Sequence, residues 1–140
     1  MTASKTGSCL CGAVKYTITG VPEHYYLCHC NSCQKATGSA FGANCWYKQS
    51  ELQITQGNHS ITTYQDKTTE SGNALQRSFC TTCGSNLFIG NDAMDKLGAV
   101  SVTSGTIDDQ SGLRPTLEVW GRGRREWLSP VEGADGKDTQ

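Results

Sequence analysis

Eight cysteines dominate the chemistry of this chain, grouped as Cys9 and Cys11, then Cys28, Cys30 and Cys33, then Cys80 and Cys83, with Cys45 alone. The spacings C-x-C, C-x-C-x-x-C and C-x-x-C let neighbouring sulfurs share one ion but suit them poorly to stapling distant loops. The opening "MTASKTGSCLCG" carries no apolar signal segment, so a reducing cytoplasm is the expected address, and such a compartment does not sustain structural disulfides. Metal binding is the expected use of the thiols. Two remote pairs, Cys9–Cys11 and Cys80–Cys83, would make a closed four-sulfur site, the usual arrangement for structural zinc. The triplet Cys28, Cys30 and Cys33 offers three ligands and leaves a position open, the pattern of catalytic zinc.

Ligand type then limits the reaction. Three thiolates would leave a zinc centre with a formal charge of about −1 and acidify a bound water less than three histidines do. An open position on such a centre favours a soft incoming ligand, above all a thiolate. The expected substrate is a small molecule, either glutathione or another thiol, or a carbonyl compound.

Residues around the triplet supply candidate helpers. His29 lies between two expected ligands and is a candidate proton carrier, although an extended backbone turns it away from its neighbours' sulfurs. Lys35 and Ser39 are candidate catalytic groups, and Gln34 could contact substrate; capping a helical turn and facing water is the plainer reading of all three. Phe41 and Trp46 could wall a pocket or simply pack. Arg77 could grip a substrate carboxylate or form a surface salt bridge. His24 and His59 read as surface residues. Cys45 could close the triplet's coordination, but a strand-borne cysteine is more often a small core hydrophobe.

The elements that must position these residues are short. Val14, Tyr16 and Ile18 alternate with polar residues in "GAVKYTITG", as do Leu52 and Ile54 in "ELQIT" and Leu117 and Val119 in "TLEVW". "LQRSF" sets Leu75, Arg77 and Phe79 on one side, while "AVSVT" and "NLFIG" read as further strands. Only "SCQKATGS" and "NDAMDKLG" hint at helical turns, so the fold class is mainly β, small antiparallel sheets bearing metal-binding loops. One domain is expected over residues 7–129, with an N-terminal tail at 1–6 and a polar, disordered tail at 130–140. Net charge is −1, no apolar run approaches a membrane span, and no finger-type Cys/His spacing accompanies Arg122, Arg124 and Arg125. Neither nucleic acid nor membrane is an expected partner; a homodimer is left open.

Taken in order, "GSCLCGAVKY", "CHCNSCQKATGSAF" and "FCTTCGSNLF" resemble the glutathione-dependent formaldehyde-activating (GFA) enzymes, the centromere-protein-V-like family. The resemblance runs from about Gly7 to Leu128. It implies an Mss4-like fold, a structural zinc on Cys9, Cys11, Cys80 and Cys83, and a second zinc on Cys28, Cys30 and Cys33 at an active site. It also implies a carbon–sulfur lyase-type activity on a glutathione-like adduct. Two other readings stand beside it: a zinc lyase or isomerase for a specialised carbonyl metabolite without glutathione, and a non-catalytic zinc-stabilised binding module.

Overall fold

The structure is a computed structural model that describes residues 3–140. Strands are numbered in chain order. β1 (Ser4–Ser8), β2 (Lys15–Thr19) and β5 (Leu52–Gln56) form a three-stranded antiparallel sheet in the order β1-β2-β5. The larger sheet contains β3 (His24–Cys28), β4 (Gly42–Lys48), β6 (Ile61–Asp66), β7 (Leu75–Cys80), β8 (Asn86–Gly90), β9 (Ala99–Thr103), β10 (Leu117–Val119) and β11 (Asp135–Gly136). Its eight strands run in the order β11-β10-β3-β4-β9-β8-β7-β6. The mainly β expectation holds, and both anticipated helical turns are helices: α1 (Asn31–Thr37) and α2 (Asp92–Leu97).

The larger sheet has two distinct faces because its side chains alternate. On β4, Cys45 and Tyr47 point into the main core with Val14, Tyr16, Ile18, Leu87 and Val102. Asn44, Trp46 and Lys48 take the other face and line a cavity. The pairing register carries this alternation across the strands: Trp46 lies opposite His24, Asn44 opposite Tyr26, and Gly42 opposite Cys28. The core therefore supports the sheet from behind while the front remains available to a ligand.

Two departures from expectation matter for the site. β10 pairs in parallel with both β3 and β11, so the sheet is mixed rather than purely antiparallel. Residues 130–140, expected to be a disordered tail, return along β10: Trp120 N–H donates to Thr139 O at 2.8 Å and Lys137 N–H to Glu118 O at 2.9 Å. Backbone pairing, which polar composition does not reveal, holds this segment. Of the expected N-terminal tail at 1–6, residues 1 and 2 lie outside the described residues, and β1 already begins at Ser4.

Candidate metal centres and cavity

The four sulfurs of Cys9, Cys11, Cys80 and Cys83 lie within 4.8 Å of one another, as do the three of Cys28, Cys30 and Cys33. The expected partition of thiols is the one the fold assembles. Cys9 and Cys11 occupy the turn leaving β1, while Cys80 ends β7, so the first cluster joins the two sheets. Each knuckle aims backbone donors at sulfur: Val14 N–H reaches Cys9 Sγ at 3.3 Å, and Thr82 N–H reaches Cys80 Sγ at 3.4 Å. Gly84 supports the second knuckle with φ 76°, a left-handed geometry that a β-carbon would strain. Hydrogen bonds from the Ser85 hydroxyl and backbone bring the Cys83 thiol down to about 5. This chemistry of soft, convergent, hydrogen-bonded sulfurs fits a thiophilic metal.

The second cluster sits where β3 passes into α1. Cys28 is the last residue of β3. Cys30 is the N-cap of α1 and its Sγ accepts the Cys33 N–H at 3.3 Å; Cys33 falls in the first helical turn. A C-x-C-x-x-C run can thus converge because the chain changes from strand to helix between the second and third ligands. All three cysteines are buried. Hydrogen bonds from the Cys28 and Cys33 thiols hold the Cys30 thiol well below its ordinary value. Among the described residues, no fourth His, Cys, Asp or Glu ligand atom joins the set within 4.8 Å. Cys45 is not a hidden fourth ligand: it is fully buried on the opposite face of β4, where burial pushes its thiol up to about 12.

The triad forms part of the wall of a cavity of about 720 Å³. Trp46 lines it rather than packing in the core, and His24 stands at it as an exposed residue. The other expected helpers lie elsewhere. His29 is buried behind the triad, its Nε2 2.8 Å from Glu118 Oε1 and its ring edge-on to Phe41. Gln34 is a brace, donating through Nε2 to His29 O at 2.8 Å and to Gly123 O at 3.0 Å. Lys35 and Ser39 are exposed and do not line the cavity. Helical geometry explains the pattern. With Cys33 turned toward the triad, Gln34 packs inward against the 121–123 turn and Lys35 faces water.

Arg77 departs furthest from its reading as a substrate grip or surface ion pair. It is buried, and its Nε donates to Asp66 Oδ2 at 2.8 Å. Its Nη2 lies 3.3 Å from Ser32 Oγ and 3.9 Å from Cys33 Sγ. The guanidinium therefore places a fixed positive charge beside the triad. Burial pushes the Asp66 carboxyl up, but hydrogen bonds from Thr68 and Arg77 outweigh it and hold the group below the ordinary carboxylate range. Glu118 shows the same balance, with burial opposed by His29 and by the Val131 N–H.

Residues to which the sequence assigned no role at the site complete the enclosure. Trp120, the only non-glycine residue with positive φ among those described (54°), packs against the three cysteines. Glu70 accepts the Asn31 N–H at 3.2 Å and pairs with Arg122 at 3.1 Å, tying the loop after β6 to the start of α1. Arg124 pairs with Glu118 at 3.4 Å, so two members of the arginine cluster neutralise carboxylates of the fold. The Trp120–Arg125 stretch carried a signal, an aromatic residue amid arginines, but it read as a question about nucleic acid.

Two predictions arise from this packing. A β-carbon on Gly123 would stand 2.3 Å from the His29 carbonyl oxygen. Gly123→Ala should therefore cost about 1–3 kcal/mol, read as a lowered Tm, because a backbone atom has to move. Glu118 tests pH dependence. Its folded pKa lies below its unfolded value of about 4.3, so it stabilises at neutral pH and loses that contribution as pH falls through the folded value. The stability gap between the wild type and Glu118→Gln should be widest at neutral pH and narrow below about pH 4, followed by denaturant unfolding across pH.

A mainly β domain of two sheets carrying a four-cysteine and a three-cysteine cluster, each able to hold a metal ion, is the class that this fold and site define. The family model described as "Glutathione-dependent formaldehyde-activating enzyme" matches residues 4–123, and the chain belongs to that family. A Halomonas elongata protein named "Putative glutathione-dependent formaldehyde-activating enzyme" is 27% identical over 84 residues. The match covers 59% of this chain and 54% of that protein, so the chain spans about half the length of this curated relative. The crystal structure of a Rhodobacter sphaeroides protein is similar in fold, with a TM-score of 0.54 and 18% identity over 94% of this chain and 98% of its own. Among the described residues, no helix is long and apolar enough to cross a membrane.

Proposed function

We propose that this chain is a cytoplasmic zinc enzyme of the Mss4-like fold that makes or breaks a carbon–sulfur bond between a thiol and a carbonyl compound. One observation carries the reading: a three-sulfur set opens on a cavity, whereas the four-sulfur set braces two sheets. The family's name supports a thiol co-substrate. Cys9, Cys11, Cys80 and Cys83 would hold a structural zinc, and Cys28, Cys30 and Cys33 a second one. When bound, that second zinc would supply Lewis acidity and affinity for a thiolate.

The protein's own residues do the rest. α1 presents Cys30 and Cys33 in one turn, and Arg77 offsets part of the negative charge of three thiolates. Trp46 and Trp120 line the cavity and would shield the reacting atoms from water. In the forward direction sulfur bonds to the carbonyl carbon, and the thiol proton ends on the former carbonyl oxygen. Since His29, Lys35 and Ser39 do not line the cavity, proton handling falls to polar groups that do, among them Glu70 and Ser71.

Metal analysis with a mild chelator tests the proposal. Two zinc ions per chain are expected, one removed readily and one retained. With cobalt in the labile site, added thiol should change the visible absorption. Two equally inert ions and a spectrum indifferent to thiols would overturn it.

A further inference from the structure

Resting on that reading, we infer that the molecule handled at the triad carries an apolar body, an aromatic ring or a short alkyl chain, rather than a charged peptide such as glutathione. The cavity has room for far more than a one-carbon adduct, about 720 Å³, and its walls are mostly hydrocarbon. Ile89, Met94 and Leu97 line it from the β8–α2 side, and Val119 and Trp120 from the β10 side. Trp46 lines it from β4.

The charges point the same way. A glutathione unit brings two carboxylates and one ammonium, and carboxylates are best held by arginine forks. The two arginines beside the site are already committed: Arg77 to Asp66 at 2.8 Å and Arg122 to Glu70 at 3.1 Å. Lys48, Lys137 and Glu23 line the cavity, and the Glu70 there is already paired with Arg122. Such a lining offers single ammonium groups but no free arginine fork for two carboxylates, whereas its hydrocarbon can enclose a ring or chain at little polar cost.

The test is calorimetric titration of the zinc-loaded protein with phenylmethanethiol, 1-hexanethiol, 2-mercaptoethanol and glutathione. The two apolar thiols should bind about tenfold or more tightly than 2-mercaptoethanol, with glutathione no tighter than 2-mercaptoethanol. In Trp46→Ala and, separately, Val119→Ser, the ratio of phenylmethanethiol to 2-mercaptoethanol affinity should fall toward one; circular dichroism confirms that each variant is folded. Glutathione binding tightest, or a ratio that neither variant changes, would overturn the apolar-substrate inference while leaving thiol chemistry intact. Binding of none of the four thiols would overturn the proposed function itself, and this inference with it.

Discussion

Cys80→Ser will yield insoluble or metal-depleted protein, whereas Cys30→Ser will fold but no longer hold a metal at the three-cysteine cluster, and with it will go the proposed activity. The contrast follows from where the two sulfurs sit. Cys80 is fully buried at the end of β7, in the cluster that ties the β1–β2 turn to the larger sheet. Apparent binding of a structural zinc by four thiolates is worth about 10–16 kcal/mol in small domains, as much as the whole stability of an ordinary domain, about 5–15 kcal/mol. Losing one ligand there removes folding free energy that a modest core cannot replace. Cys30 instead caps α1, accepting the Cys33 N–H. Serine is among the best N-caps, so Cys30→Ser replaces a capping sulfur with a capping oxygen and spares the helix while spoiling the soft ligand set. Soluble yield, metal content per chain and thermal unfolding read the difference. Equal loss of fold in both variants would refute the division of roles.

Arg77→Met should be strongly damaging although it leaves both cysteine clusters intact. It strips the buried Asp66 carboxylate of its cation and removes positive charge from the neighbourhood of Cys33. Breaking a buried pair by removing one partner costs about 3–5 kcal/mol; Thr68, which still donates twice to Asp66, places this case toward the lower end. Metal affinity at the triad should fall as well, because three thiolates crowd their charge with less to offset it. Arg77→Lys separates the two effects. An ammonium retains the charge but not the fork that reaches Asp66 and Ser32 together, so metal affinity should be largely kept while stability drops. Chelator competition and thermal denaturation measure the two quantities. Unchanged metal affinity in Arg77→Met would show that the guanidinium serves only the fold.

Much of the scaffold was legible because its signals are local. Val14, Tyr16 and Ile18 alternate in the sequence and are fully buried in the structure. The cysteine spacings grouped the sulfurs as the fold does, since a chelating knuckle is defined within a few residues. The accessory residues were less legible because their partners are remote. His29 meets Glu118 across 89 positions, and Arg77 meets Ser32 across 45. "TLEVW" misled for a related reason. Leu117 and Val119 do share a face, but it is the cavity face, while the charged residue between them is the fully enclosed one. Alternation assigns residues to faces; it does not say which face meets water, ligand or core. The tail was missed because its order comes from backbone pairing with β10.

That tail has a consequence for how the chamber is built. The family match ends at residue 123, yet Lys137 and Gln140 line the cavity. Its pairing with β10 and the Val131 N–H bond to Glu118 weld this part of the wall to the strand that carries Val119 and Trp120. Trimming residues 130–140 should therefore unsettle wall and strand together, not one without the other.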